Sequence, residues 1–304
     1  DRSFAETRIE AGRDAWFWGS PLPGGGYAAT IFLDAERAAG SGAASRAASY
    51  RQLLAQSKLL KHLLRGEMLG PVRVRDATAR ISPDLIGPDL IRVGEAAVAI
   101  DPLSSQGIQD AVLSAIQASA AVHTILTGGD RAAALEFYRE RRQAAATSSR
   151  RSAGRLYRGH GEQNSFWTRR SSPAGSPPAD PAPQVRAGTS PAARLRASPQ
   201  LRFVDVPVLA GAQIRRERAM IHPHLERPVA YLGGVALAPL LDELDAASET
   251  EEIVSHWTRR IPPQTARAIM NWMWTVGVLD PEPLGCEQRP AASLPVELET
   301  TRTA

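Results

Sequence analysis

The sequence predicts a mixed helix-and-sheet protein, of the α/β or α+β class, built from two modules. Short runs of β-branched and aromatic residues near the amino terminus are typical of strands. Longer stretches with helical spacing follow them in the first half of the chain. A segment rich in Pro, Ala, Ser and Gly then separates this part from a second apolar region. We therefore expect domains at 1–170 and 203–280, a disordered linker at 171–202 and a disordered tail at 281–304.

The composition is that of an ordinary globular protein, because 43% of the 304 residues are apolar and 22% are charged. The formal charge of +4 comes mostly from an arginine-rich region between Arg139 and Arg170. No aromatic–basic binding motif accompanies it, so no nucleic-acid partner is expected. The single cysteine, Cys286, excludes an internal disulfide and favours the cytoplasm. No run of about 18 apolar residues occurs, so no membrane span is expected.

The first strands are predicted around a glycine turn. Trp16–Pro23 and the YAATIFLD segment from Tyr27 flank Gly24–Gly26, which is the pattern of a hairpin. Further along, PVRVRDATAR from Pro71 alternates Val with Arg and predicts a half-buried strand. Two short apolar strands are expected at 90–93 and 97–100.

Three helices are predicted from apolar residues at helical spacing, at 45–64, 109–126 and 130–158. The second is alanine-rich and apolar, so we expect it to be buried on most sides. The third becomes more polar along its length. Its aromatic residues Tyr138 and Tyr157, together with Phe137, are expected to face inward.

The second module is predicted to be winged-helix-like. The segment PVAYLGGVALAPLLDEL indicates a short hairpin that runs into a helix. Two further helices are expected, one in ETEEIVSHWTRR with capping signals and one in PPQTARAIMNWMWTVGVL with Pro in its first turn. Three tryptophans should form its core, namely Trp257, Trp272 and Trp274.

The stretch VGEAAVAIDPLSSQGI, from Val93 to Ile108, is the main candidate for a binding site. Gly94 lets the backbone approach a ligand closely, and the carboxylate of Glu95 can accept hydrogen bonds from sugar or ribityl hydroxyls. Asp101-Pro102 makes an extended kink before a helix, whose first amides are unpaired and favour negative charge. The plainer interpretation is that Gly94 and Gly107 only permit tight strand–helix packing.

The pattern GEAAxxxDPxxxQGIxxA resembles the second flavin-contact motif of FAD-dependent monooxygenases of the para-hydroxybenzoate hydroxylase type. In that family the usual pattern is G-D-A-A-x-x-x-x-P-x-x-G-x-G. Glu95 stands where Asp is usual, and Ser105 stands where a glycine is common. The resemblance implies that FAD is bound by Gly94, Glu95, Asp101, Pro102, Ser104, Ser105, Gln106, Gly107 and Ile108.

A second stretch, WFWGSPLP, resembles the W-x-W-x-I-P segment of flavin-dependent tryptophan halogenases, with Ser20 in place of Ile. Related flavoproteins that hydroxylate protein tryptophan during quinone-cofactor maturation share a similar pattern, and GEQNSFWTRR from Gly161 is similar to one of their segments. The resemblance places Trp16, Trp18 and Pro21 on the substrate side. The plainer interpretation of the two tryptophans is packing on one face of a strand, since residues i and i+2 point the same way.

Together the resemblances imply the C-terminal half of an FAD-binding monooxygenase-type fold, over about residues 5 to 170. The implied activity is an oxidoreductase that acts, through a flavin hydroperoxide, on an aromatic small molecule or a peptide-borne tryptophan. Reduced flavin or NAD(P)H would supply the electrons. Hydroxylation and halogenation are left open, although Ser20 favours the former, and no catalytic residue is assigned. Lys58 and Lys61 match no halogenase lysine motif.

Two features indicate that this chain holds only part of such an enzyme. No G-x-G-x-x-G follows a predicted strand, and the chain begins at Asp1 with neither Met nor leader. We therefore expect a fragment of a longer flavoprotein. The alternative is a non-catalytic, truncated flavoprotein that serves as a peptide-binding or maturation partner, since the second module is similar to winged-helix domains that recognise peptides. His222 and His224 lack a third ligand, so no metal is expected.

Overall fold

The computed structural model describes residues 6–38, 43–160, 164–171, 194–244 and 248–282. These residues fall into two compact units. The first contains 6–171 together with 207–217, and the second contains 194–206 together with 218–282. No helix in the described ranges is both long and apolar enough to cross a bilayer.

The first unit combines small sheets with a pair of long helices. Its elements in chain order are β1 (Arg8–Ala11), β2 (Trp16–Pro21), β3 (Tyr27–Phe32), α1 (Ala35–Ala38), α2 (Ala43–Leu54), β4 (Arg80–Ile81), β5 (Val98–Ala99), α3 (Gly107–Leu126), α4 (Arg131–Arg158) and α5 (Ser165–Ser171).

The predicted hairpin is present as strands β2 and β3, with β1 added on the other side of β2 in an antiparallel sheet. Trp16 lies opposite Phe32, and Pro21 lies opposite Tyr27. The turn contains Gly24 and Gly25, whose φ angles are 83° and 84°. Only glycine adopts this left-handed region readily, which is why the glycine run predicts the turn.

Helices α3 and α4 form the body of the first unit. The predicted start of α4 is confirmed, because the Asp130 side chain caps it by accepting a hydrogen bond from the Ala133 amide at 2.9 Å. The aromatic residues Phe137, Tyr138 and Tyr157 are all buried, as expected. The guanidinium of Arg142, 1% exposed, joins the two helices through the Asp110 carboxylate at 2.9 Å.

The predicted burial of α3 is wrong. Small residues such as Ala118 and Ala121 are buried against α4, but Ile108 is 84% exposed and Leu126 is 79% exposed. Several other large apolar residues on this helix are also exposed, namely Val112, Leu113, Ile116 and Val122. The apolar composition of α3 therefore reflects two apolar faces, of which this unit covers one.

Three other predicted elements differ from the structure. The alternating segment from Pro71 forms a strand only at Arg80–Ile81, which pairs with β5, and the residues before it have no regular structure. The predicted strand at 90–93 is reduced to one bridge, between Ile91 and Ile86. The helix predicted at 45–64 ends at Leu54, and a separate 3-10 turn spans Lys61–Arg65.

The second unit is a small sheet covered by helices. Its elements are β6 (Arg194–Ala197), β7 (Arg202–Ala210), β8 (Gln213–Ile221), β9 (Tyr231–Leu232), β10 (Val235–Ala236), α6 (Ala238–Asp242), β11 (Ser248–Glu249), α7 (Thr250–Trp257), α8 (Pro263–Thr275) and β12 (Leu279–Pro281), with the tip of the β7–β8 hairpin counted in the first unit.

The predicted hairpin and three helices of this unit are present. Gly233 and Gly234 turn β9 into β10, and Glu249 forms a capping box at the start of α7. Trp257 and Trp274 are buried in the core, and Trp272 packs against it. From α6 onward the order is helix, strand, two helices and strand, and β6, β11 and β12 form a three-stranded sheet. The winged-helix-like assignment stays a prediction.

The centre of the second sheet comes from a segment whose composition predicts a linker. Strand β6, Arg194–Ala197, lies between β11 and β12 and pairs antiparallel with both. Leu195 is fully buried there, in the core of the second unit. The rest of the expected linker, 172–193, and the tail beyond 282 lie outside the described residues.

Candidate active site

The glycine at the start of the candidate motif is held by packing. Gly94 is buried with φ 57°, and a Cβ at this position would lie 3.2 Å from the Cβ of Ala111. Its amide donates a 2.8 Å hydrogen bond to the hydroxyl of Ser114 on α3. The plainer interpretation therefore accounts for Gly94, which lets the turn lie directly against the helix.

The residues that follow are available to a ligand. Glu95 is exposed, and so are Gln106, Gly107 and Ile108 at the start of α3. No side chain caps this helix end, and a Cβ on Gly107 would meet nothing within 4 Å. Open amides at a helix start carry partial positive charge, so this edge can accept an anionic or strongly polar group.

Between these two parts the chain makes a tight turn. Pro102–Ser104 forms a 3-10 turn that begins with the Asp101 side chain accepting a 2.9 Å hydrogen bond from the Leu103 amide. Ser104 donates its hydroxyl to the Asp101 carbonyl at 2.8 Å. Ser105 then adopts a left-handed conformation with φ 53°. This is the position where glycine is common in the flavin motif, and the conformation explains the preference.

Asp101 also joins the motif to the aromatic part of the unit. Its carboxylate accepts a hydrogen bond from the phenol of Tyr157 on α4 at 3.1 Å. Tyr157 is 3% exposed and lies in the same apolar cluster as Trp16. Burial, followed by the negative charge of Asp101, raises the pKa of Tyr157 well above its ordinary value. Tyr157 therefore stays protonated and continues to donate to Asp101.

These residues line one cavity of about 1350 Å³, which we call the Trp16 cavity. Its walls come from β3, α2, the irregular segment 70–79, α4 and α5, and they include Asp101 and Pro102. Trp16 stacks on Phe32 with ring centroids 3.6 Å apart and planes 6° apart. Trp16 is 3% exposed, so Phe32 provides most of the exposed aromatic surface, and the Asp101 carboxylate faces the same space.

The structure brings together only some of the predicted site residues. Trp16, Asp101 and Pro102 line the Trp16 cavity. Trp18 packs beside Trp16 in the same apolar cluster, as the strand spacing predicts, but is not part of the lining. Pro21 lies at the end of β2, outside the lining, and Ser104–Ile108 are not part of the lining either.

Sequence reasoning misses the wall residues that lie far along the chain. It indicates only that Tyr157 faces inward and gives no role to Phe32, Arg150 or Phe166, although all four line the Trp16 cavity. The segment GEQNSFWTRR holds a partial signal. Phe166 and Trp167 of this segment are buried against Tyr157 and Trp16, while 161–163 lie outside the described residues.

The two histidines of the second unit have structural contacts. His222 is 6% exposed and has a 3.2 Å hydrogen bond with the hydroxyl of Ser198. The ring of His224 lies within 3.2 Å of the Val276 carbonyl. Across the described ranges, no group of three or more His, Cys, Asp or Glu side chains is arranged to hold a metal ion.

Comparisons with known proteins support the resemblance to flavin-dependent halogenase-like proteins. The chain is 34% identical over 127 residues to a tryptophan 2-halogenase of Chondromyces crocatus, a match that covers 40% of this chain and 24% of that protein. No family model matches. The chain therefore spans about a quarter of the length of this curated relative.

Two solved structures share the fold. The peptidyl tryptophan dihydroxylase QhpG, essential for tryptophylquinone cofactor biogenesis, has a TM-score of 0.66 at 27% identity, over 89% of this chain and 60% of that one. The flavin-dependent halogenase CmlS has a TM-score of 0.56 at 15% identity, over 90% and 59%, and shows the fold alone. The predicted fold class is confirmed. The chain is related, over part of their length, to the flavin-dependent halogenase-like proteins that its motifs resemble.

Proposed function

We propose that this chain is part of an FAD-dependent oxidoreductase, of the monooxygenase or halogenase-like kind, that modifies an electron-rich aromatic ring. The observation that supports it most is the Trp16 cavity, where the aromatic wall of Trp16 and Phe32 shares one space with Asp101 and Pro102 of the flavin-like motif. The related proteins are enzymes that act on tryptophan or depend on flavin, so a non-catalytic role is not favoured.

FAD would be held by the exposed residues of the motif, Glu95 and Gln106–Ile108. The exposed carboxylate of Glu95 suits the ribityl hydroxyls, and the uncapped start of α3 at Gln106–Ile108 suits the polar edge of the flavin ring. The open space around Gly107 leaves room for such a group. When bound and reduced, by a reduced-flavin donor or NAD(P)H, FAD supplies the activation of O2.

The residues of this chain would position the substrate and accept the proton that its ring loses. The half-buried ring of Phe32, backed by the buried Trp16 on which it stacks, offers an aromatic surface for the substrate. A ring that is substituted at carbon loses a proton, and the carboxylate of Asp101 on the cavity wall can accept it. Tyr157 holds that carboxylate in place through its phenol at 3.1 Å.

The substrate proposed here is a tryptophan side chain within a peptide. A volume of about 1350 Å³ exceeds the roughly 300–1,000 Å³ of ordinary small-molecule pockets, so the Trp16 cavity has room for more than a free amino acid. The relationship to a peptidyl tryptophan dihydroxylase supports the same choice. An aromatic small molecule is the second candidate, supported by the relationship to a tryptophan halogenase.

Three further proposals come from the sequence. The winged-helix-like second unit would help to recognise the peptide, as similar small domains do. The single cysteine favours a cytoplasmic protein. The dispersed positive charge without a basic–aromatic motif favours a protein with no nucleic-acid partner.

The experiment is a Tyr157→Phe substitution in the full-length protein, with turnover of a tryptophan-containing peptide as the readout. Losing the phenol that orients Asp101 is expected to lower kcat about tenfold and to leave KM and bound-flavin absorbance unchanged. The matched control is Tyr138→Phe on the same helix, whose phenol donates to the Arg92 carbonyl at 2.6 Å, outside the Trp16 cavity. It should lose stability and keep its activity. Equal kcat for both variants, or a full-length protein without bound flavin, would contradict the proposal.

A further inference from the structure

The Trp16 cavity is strongly basic, a property that its aromatic wall does not explain. Seven arginines and three aspartates line it. A cavity with such an excess of one charge raises the local concentration of ligands of the opposite charge. The arginines come from several elements, so they face the same space from different directions.

Of the three aspartates, only Asp34 forms ion pairs with arginines of the lining. Asp34 pairs with Arg169 and, at 2.8 Å, with Arg170. Asp76 pairs at 3.0 Å with Arg80, which is outside the lining. Asp101 accepts from the Leu103 amide and from Tyr157, neither of which carries positive charge.

Three arginines of the lining are therefore available to pair with an anionic ligand. They are Arg46 on α2, Arg73 on the irregular segment 70–79 and Arg150 on α4, and none has a hydrogen-bond or ion-pair partner within the described ranges. Arg46 and Arg150 are half-buried. Half-buried guanidinium groups without a counter-charge are unfavourable in the empty cavity, and an anionic ligand removes that cost.

We propose that the Trp16 cavity selects a polypeptide segment in which the aromatic residue is flanked by carboxylates, which pair with Arg46, Arg73 and Arg150. This rests on the proposed function for the identity of the aromatic residue and goes beyond it in naming an acidic sequence around it. The size of the cavity fits several residues, and its arginines surround the aromatic wall on three elements. A free neutral amino acid would leave these guanidinium groups without partners.

The test is equilibrium binding by fluorescence anisotropy to the full-length protein, without reductant, so that no turnover is required. The probes are a labelled peptide with one Trp between two pairs of Glu and the same peptide with Gln at those positions. We expect the Glu peptide to bind about tenfold more tightly, a preference that declines as salt is added. Arg150→Gln and Arg46→Gln should each remove most of the preference, and Arg150→Lys should keep part of it.

Arg139→Gln is the matched control, because Arg139 lies exposed on the same helix as Arg150 but outside the Trp16 cavity, and the variant loses the same charge. It should bind both peptides as the parent protein does. Equal binding of the two peptides, or an equal effect of Arg139→Gln and Arg150→Gln, would overturn the inference. Displacement of the Glu peptide by an equal concentration of ADP would also overturn it, since the arginines would then belong to a phosphate. None of these results depends on flavin chemistry, so the inference can fail while the proposed activity stands.

Discussion

Ser105 is in a conformation that suits glycine better than serine. Its φ of 53° is the only left-handed value at a non-glycine residue in the described part of the chain. Its amide still closes the turn by donating to the Pro102 carbonyl at 3.1 Å, a bond that does not need the side chain. The strain is therefore local and can be removed by one substitution.

Ser105→Gly is expected to raise the free energy of unfolding by about 0.5–1 kcal/mol, because the relief of left-handed strain exceeds the larger entropy of glycine in the unfolded chain. Urea denaturation measures it. The control is Ser104→Gly in the preceding residue, which loses the 2.8 Å hydrogen bond from its hydroxyl to Asp101 and should lower stability. A Ser105→Gly protein that is less stable than the parent would show that the serine side chain makes a contact worth more than the strain.

Glu10 links strand β1 to residues 57–59, which follow helix α2. Its carboxylate accepts hydrogen bonds from the Ser57 hydroxyl at 2.5 Å and from the amides of Lys58 and Leu59 at 2.7 and 2.8 Å. Burial alone would raise the pKa of Glu10, but these three hydrogen bonds outweigh it and lower the pKa below 4.5. The contribution of Glu10 to stability is therefore complete above pH 4.5 and is lost as the pH falls through its lower folded-state pKa.

Glu10→Gln is expected to reduce stability at pH 7 and to have a shrinking effect as the pH is lowered below 4.5, since a protonated Glu10 resembles Gln. Urea midpoints of the two proteins across that range measure it. Glu6→Gln is the control, because Glu6 is exposed and its side chain has no hydrogen bond in the described part of the chain. A constant difference between Glu10→Gln and the parent at every pH would contradict this assignment.

At the scale of elements, the α3–α4 pair depends on small side chains. Ala121 is fully buried between the helices, together with Ala118, Ala133 and Ala134. Such alanines let two helices pack closely, and a larger side chain must push them apart or leave its preferred rotamer.

Ala121→Leu is therefore expected to lower the free energy of unfolding by about 1–3 kcal/mol. The matched control is Ala115→Leu, which adds the same atoms to the exposed face of the same helix and should change stability little. Thermal denaturation of both variants gives the comparison. Equal melting temperatures for the two variants would contradict this prediction, because the α3–α4 interface would then accommodate a leucine at position 121.

The sequence predicts best the elements whose signal is local. The predicted start of helix α4 lies within one residue of the observed start, because Asp130 caps its first turn and its apolar residues recur at helical spacing. The alternating segment from Pro71 is misleading because alternation predicts a strand only where a partner strand is available, and here one exists only for Arg80–Ile81. The polar segment around Leu195 hides a central strand for the opposite reason, since its partners β11 and β12 supply the context.

The same distinction applies to the candidate site. The motif residues Asp101 and Pro102 can be found because they are consecutive and resemble a known pattern. Tyr157, which orients Asp101, is 56 positions further along the chain, and no local pattern links the two. The arginines of the Trp16 cavity are dispersed in the sequence, and their convergence depends on how α2, α4 and the irregular segment 70–79 pack.

At the scale of the whole molecule, the units do not divide where the linker composition suggests. The tip of the β7–β8 hairpin, residues 207–217, is part of the first unit although it comes after the linker. Ile214 is 1% exposed in the same apolar cluster as Phe137 and Tyr138. Its amide donates to the hydroxyl of Thr124 on α3 at 2.7 Å. Deleting 203–280 would therefore remove part of the core of the first unit.

This division can be tested by Ile214→Ala, read by hydrogen exchange in each unit separately. Removing a buried Ile side chain is expected to cost about 2–5 kcal/mol, so amides in α3 and α4 should exchange faster while those in α8 should not change. Leu209→Ala is the control on the same hairpin, because Leu209 is 42% exposed and its loss should leave both units unchanged. Faster exchange in α8 without a change in α3 would place the hairpin tip in the second unit instead, and ending the chain at residue 203 would then be harmless to the Trp16 cavity.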